Sequence, residues 1–146
     1  MHLHSDDFWH FIKNGAIAPY LPEAHQQNKV VIDVLAKVAD RYARGGYFVV
    51  LDGIIGPWFL QPFKELTLPL HYIVLSLPVS IAIQRCRNRA ADTLTDPKAI
   101  RELHQQFSSL GELEHHNLRT DRHHPQETLD EVIRALQGGA FRLFSP

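Results

Sequence analysis

Two short apolar runs constrain the fold most. Residues 47–51 read Tyr-Phe-Val-Val-Leu after Gly45 and Gly46, and run straight into Asp52 and Gly53. Residues 70–75 read Leu-His-Tyr-Ile-Val-Leu after Pro69 and end at Ser76. Both are β-branched or aromatic and neither alternates with polar residues, the pattern of strands covered on both faces of a parallel sheet. Helical periods surround them. Over 23–44, Val30, Val31, Val34, Leu35, Val38 and Tyr42 recur at helical spacing, and Gly45 supplies a stop. A second helix starts near Pro78 and carries Ile81, Ile83 and Cys86. A third, 98–114, sets Ile100, Leu103, Phe107 and Leu110 on one face. The last starts at Pro125, carries Leu129, Val132, Ile133 and Leu136, and stops at Gly138-Gly139. Residues 116–120 form a weaker strand, and a strand stub opens the chain.

Strands alternating with helices in this order predict a single α/β domain over residues 1–146, with a parallel sheet and right-handed crossovers. Ligands in such sheets bind at the carboxyl ends of the strands. That rule selects residues 5–8, 52–56, Ser76, and Thr120 with Asp121. The formal net charge of -1 leaves no electrostatic footprint for nucleic acid or an anionic membrane. No apolar run approaches the ~20 residues that span a bilayer, and the polar, acidic start is unlike a signal peptide. A single cysteine, Cys86, cannot close an internal disulfide, which suits a reducing cytoplasm.

Several residues at the selected edge suit proton or phosphate chemistry. Asp6 and Asp7 follow the strand stub, where a carboxylate can take a proton from a substrate hydroxyl or help hold magnesium beside a phosphate. Ser5 and both aspartates serve equally well as helix N-caps. Asp52 ends an apolar strand, where P-loop proteins place a magnesium-linked carboxylate, although Asp-Gly is also a common turn pair. Arg85 and Arg89 stand four apart and share a helix face, able to stabilise a transferring phosphoryl group or simply to form a solvated basic face. Residues 85–97 make a lid candidate. Trp9, Phe11, Trp58, Phe59 and Phe63 are aromatic candidates for a pocket or for core. The ten histidines lack the spacing of a zinc site and read as surface or core residues.

The stretches 2–9 (His-Leu-His-Ser-Asp-Asp-Phe-Trp), 12–15, 18–23 and 50–59 resemble bacterial P-loop kinase-like proteins of the AAA or ATP-binding kind. The wider relatives include chloramphenicol phosphotransferase, shikimate and gluconate kinases, and the zeta toxins. The resemblance runs from Met1 to about Leu136. It implies a three-layer α/β sandwich with a mostly parallel sheet, and ATP-dependent, magnesium-dependent phosphoryl transfer to a hydroxyl of a small molecule. It implies Asp6 as the substrate-hydroxyl base with Asp7 as the alternative, and Asp52 in reach of magnesium or substrate. Arg85 and Arg89 fall at lid-arginine positions, and Thr120 and Asp121 near the adenine. Trp9, Gly53 and Trp58 are expected to flank the substrate pocket.

The phosphate-binding loop of that family, Gly-x-x-x-x-Gly-Lys before Ser or Thr, does not occur in these 146 residues, and no Gly-Lys pair occurs at all. The family places the loop and a first strand ahead of the strand in which this chain starts. The expectation is therefore a kinase domain truncated at its amino end, weak or inactive as it stands, with open strand edges that invite self-association. The rival expectation is a non-catalytic binding or regulatory module on a degenerate kinase scaffold.

Overall fold

Strand β1 (His2–His4) passes without a break into helix α1 (Ser5–His10), so the first strand delivers its carboxyl end directly to a helix start. A computed structural model of the protein describes residues 1–88 and 96–143. It is a mixed α/β structure that divides into two compact units, Met1–Leu68 and Pro69–Pro146.

In the first unit, a 3-10 turn at Pro22–Ala24 leads into α2 (His25–Arg44), which runs to Gly45 as the periodicity predicts. Strand β2 (Val50–Asp52) follows, then a 3-10 turn at Pro57–Phe59 and the short helix α3 (Gln61–Lys64). Strands β1 and β2 pair in parallel, with His2 opposite Val50, Leu3 opposite Leu51 and His4 opposite Asp52. The core gathers on α2. Ile32 and Leu35 are almost wholly buried, together with Ala24, Val31, Ala36, Leu60 and Phe63. Burying one such aliphatic side chain contributes roughly 1.5–3 kcal/mol. Phe63 is therefore core rather than pocket.

The expected strand at 47–51 is shifted and shortened. Only residues 50–52 form ladder, and Phe48 is 74% exposed. Tyr47 packs edge-on against Tyr42 of α2, with ring centroids 5.9 Å apart. An apolar run without alternation does not here mean a strand covered on both faces, because Val50 is itself half-exposed.

In the second unit, β3 (Val74–Ser76) pairs in parallel with β4 (Asn117–Arg119), and Ser76 lies opposite Arg119. The apolar run 70–75 is split. Its first half joins the chain end, where the Tyr72 amide donates to Phe141 O at 2.9 Å and the Leu143 amide to Leu70 O at 2.8 Å. Helix α4 (Val79–Arg87) follows Pro78. Helix α5 (Pro97–Gln106) is capped by Asp96, whose carboxylate accepts the Lys98 amide at 2.9 Å. The helix expected over 98–114 stops at Gln106, and the chain re-forms as a 3-10 segment at Gly111–His116. Gly111 takes φ +61°, a left-handed turn that glycine adopts without steric cost and that an α-helix cannot continue through. Helix α6 (Pro125–Gly138) ends on Gly139 in the left-handed conformation, as its sequence signals predict. Ala99, Ile100, Leu110, Leu118, Phe141 and Leu143 form this unit's core.

Candidate functional site

The parallel register of β1 and β2 assembles the most organised polar cluster among the described residues. Side chains two apart on a strand share a face, so His2 and His4 project together, and Asp52 lies across the ladder from His4. The Nε2–H of His2 donates to Asp52 Oδ1 at 2.6 Å, and the Nδ1–H of His4 donates to Asp52 Oδ2 at 3.0 Å. One carboxylate thus holds two imidazoles, one on each oxygen. Because β1 continues straight into α1, Asp6 also reaches the cluster, with Oδ2 3.7 Å from His4 Nε2.

Close packing holds this corner in place. Gly53 follows Asp52 with φ +149°, and a Cβ built on it would lie 1.7 Å from Ser5 Oγ. Ser5 is 1% exposed and starts α1, so the glycine lets the end of β2 press against the helix start that carries Asp6 and Asp7.

The electrostatics follow from the pairing. The Asp52 hydrogen bond raises the pKa of His4 above its ordinary value, partial burial opposes this, and the carboxylates of Asp52, Asp6 and Asp7 add to the rise. For Asp52, partial burial alone would push the carboxyl up, but the hydrogen bonds and positive charge of His2 and His4 outweigh it and hold it below the usual range. The side chains involved are about half-exposed, so each pair is worth little in stability. Their consequence is orientation and charge.

Among the described residues, no group of three histidine, cysteine, aspartate or glutamate side chains is arranged to hold a metal ion. With both Asp52 oxygens engaged by imidazoles, these residues do not build a magnesium site. Magnesium prefers oxygen ligands in near-ideal octahedral geometry and binds through a substrate's phosphates as readily as through protein.

The other expected residues are distributed as follows. The Trp9 indole N–H donates to Asn28 Oδ1 at 2.8 Å, and the Asn28 amide donates to Pro19 O at 2.7 Å, which pins α1 and the 12–21 segment to α2. Trp58 is 44% exposed, and its ring lies against Gly56, where a Cβ would come within 2.3 Å of it. Beside α1, an open apolar groove of about 360 Å³ is lined by Phe8, Phe11, Ile12, Val30 and Val34. Gln27 also borders it, but both ends of its amide are bound to the Ile17 backbone.

In the second unit, Thr120 is buried and serves the sheet, since its amide and hydroxyl both donate to Ser76 O. Asp121 accepts from Arg119 Nε at 2.8 Å. Desolvation would raise its carboxyl, yet the Arg119 hydrogen bond and the charges of Arg119 and Arg122 hold it below the usual range. Arg119, Asp121, Arg122 and His123 border a polar depression of about 340 Å³. Arg85 is an exposed residue of α4. Arg89 and most of the 85–97 lid lie outside the described residues.

His2 and His4 are functional candidates that the sequence alone does not single out. The signal was their alternation immediately upstream of Asp6, and what it lacked was the partner strand. No protein-family model matches the chain, and no curated protein matches it.

Proposed function

We propose that this chain carries the acceptor side of an ATP-dependent phosphotransferase acting on a hydroxyl of a small molecule, built on a P-loop-type three-layer sandwich. The observation that carries the reading is the cluster of Asp52, His4 and Asp6 at the carboxyl ends of two parallel strands. This is where open α/β sheets receive ligands. It presents negative charge and an oriented imidazole, the equipment for receiving a hydroxyl and its proton. The resemblance of residues 2–9 and 50–59 to P-loop kinase-like proteins supports the same reading. Asp6, with Asp7 beside it, receives the hydroxyl, and Asp52 fixes the histidines. Gly53 and the tryptophans Trp9 and Trp58 shape the surroundings. Magnesium enters with the ATP phosphates.

A phosphate-gripping lysine loop is missing from these residues, so transfer by the chain alone is slow. The test is incubation with magnesium and γ-labelled ATP against a panel of sugars, nucleosides and aromatic alcohols. Label on one acceptor, lost in Asp6→Asn, supports the reading. Failure of the protein to label any acceptor at any protein concentration contradicts it.

The second reading is a non-catalytic binding module, and the apolar groove beside α1 favours it, because that groove offers no free polar group for chemistry. Acceptor-independent binding of an apolar probe, without ATP binding, is the outcome that would select it.

A further inference from the structure

We infer that His4, rather than Asp6, takes the proton from the acceptor hydroxyl, with Asp52 as the residue that orients it; the inference rests on the phosphotransferase reading above. The Nδ1–H of His4 is committed to Asp52 Oδ2 at 3.0 Å. A neutral imidazole carries one proton, so its free lone pair then sits on Nε2. That nitrogen lies 3.7 Å from Asp6 Oδ2. The gap is too long for a hydrogen bond, and a hydroxyl approaching beside the pair gives its single proton to the Nε2 lone pair at about 2.8 Å.

Of the two acceptors facing that position, an imidazole is in ordinary surroundings the stronger base, by roughly two units over a carboxylate. The groups around His4 favour the proton's arrival. Asp52, Asp6 and Asp7 are all carboxylates bearing on the ring, and His2 is held away on the other oxygen of Asp52. The imidazolium formed by proton transfer would therefore lie between the carboxylates of Asp52 and Asp6.

The acceptor oxygen bonds to the γ-phosphorus of ATP while the bond from that phosphorus to the β–γ bridging oxygen breaks. ADP leaves with the electron pair, and the hydroxyl proton moves to His4 Nε2, from which water later removes it. Asp6 stabilises the imidazolium, and Asp52 keeps the ring in the productive tautomer.

The experiment measures labelled-phosphate transfer against pH for the wild type, His4→Gln, Asp52→Asn and a His10→Gln control, with the His4 ring titrated by NMR in the same samples. His4 is about half-exposed, so its replacement leaves the fold intact, which circular dichroism checks. The expected result is a loss in kcat of about 100-fold or more for His4→Gln, with KM changed by less than ~3-fold. The control behaves as wild type. In the wild type, the rate rises with pH through the NMR-measured pKa of His4. In Asp52→Asn both the ring titration and that limb move to lower pH, because the hydrogen bond that raises the pKa is gone. Transfer by wild type with a His4→Gln rate within ~3-fold of it, or a limb that ignores the His4 titration, overturns the inference and returns the proton to Asp6. No transfer by the wild type overturns the phosphotransferase reading itself, and this inference with it.

Discussion

Gly53 presses against Ser5 so closely that a Cβ on the glycine would lie 1.7 Å from Ser5 Oγ and 2.7 Å from Ser5 Cβ. The contact locks the end of β2 to the start of α1, and with it the distance between Asp52 and Asp6. Gly53→Ala should cost ~2–4 kcal/mol, from overpacking and from the strained positive φ together. Urea unfolding measures it. Adding Ser5→Gly should restore part of the loss, because the clash goes while the backbone strain stays. Unchanged stability of the single variant would mean that the two strands do not close here.

Ile32 and Leu35 are the most deeply buried aliphatic side chains of α2. Replacing either with alanine should destabilise the protein by ~2–5 kcal/mol, the cost of lost burial plus an incompletely closed cavity. Val30→Ala on the same helix should cost far less, since Val30 is 57% exposed and little of its surface is withdrawn from water. Thermal or chemical unfolding of the three variants ranks them. Equal effects would contradict the assignment of helix faces.

His116 is buried against Tyr72 and Phe141, and its Nδ1–H donates to Tyr72 O at 2.7 Å. Burial pushes its pKa below 6.5, the nearby His115 charge adds to this, and the carbonyl hydrogen bond only partly opposes them. The unfolded chain therefore binds the proton at higher pH than the folded one. Stability should be full above about pH 6.5 and decline as pH falls from there toward the folded-state pKa. Unfolding free energies between pH 7.5 and 5 test this, and His116→Gln should flatten that part of the slope.

Tyr72 gives the opposite limb. Burial pushes its phenol up to about 12 from 10.0. The unfolded phenol ionises first, so this residue's contribution is present below pH 10 and is lost as pH rises from 10 toward 12. Absorbance titration of phenolate should show one of the four tyrosines ionising late, and Tyr72→Phe should remove that step. Ionisation of all four together near pH 10 would contradict its burial.

Helix ends were legible because their signals are local. The Gly45-Gly46 pair ends α2, with Gly46 in the left-handed region, Pro125 opens α6 and the left-handed Gly139 closes it. The strands were less legible. Tyr47 and Phe48 look like buried strand residues, yet one packs on Tyr42 and the other faces outward, a choice made by neighbours distant in sequence. The helix expected over 98–114 ends at Gln106, and the left-handed Gly111 keeps the 3-10 segment that follows from continuing it, despite the unbroken apolar period. At the site, Asp6 could be read from its place after the strand stub and Asp52 from its place after an apolar run. His4 could not, because its role depends on a parallel register that sets it opposite Asp52, and a single sequence does not carry register.

One carboxylate, Asp52, holds two imidazoles through different ring nitrogens, and the tautomer of each ring tests this arrangement. Nitrogen NMR of imidazole-labelled protein, recorded at a pH above the observed titration of both rings, reports which nitrogen bears the proton. Opposite states are expected: the proton on Nε2 in His2 and on Nδ1 in His4, with the His4 preference lost in Asp52→Asn. His4 protonated on Nε2, with or without Asp52, would contradict it, because the nitrogen needed to accept a hydroxyl proton would already be occupied.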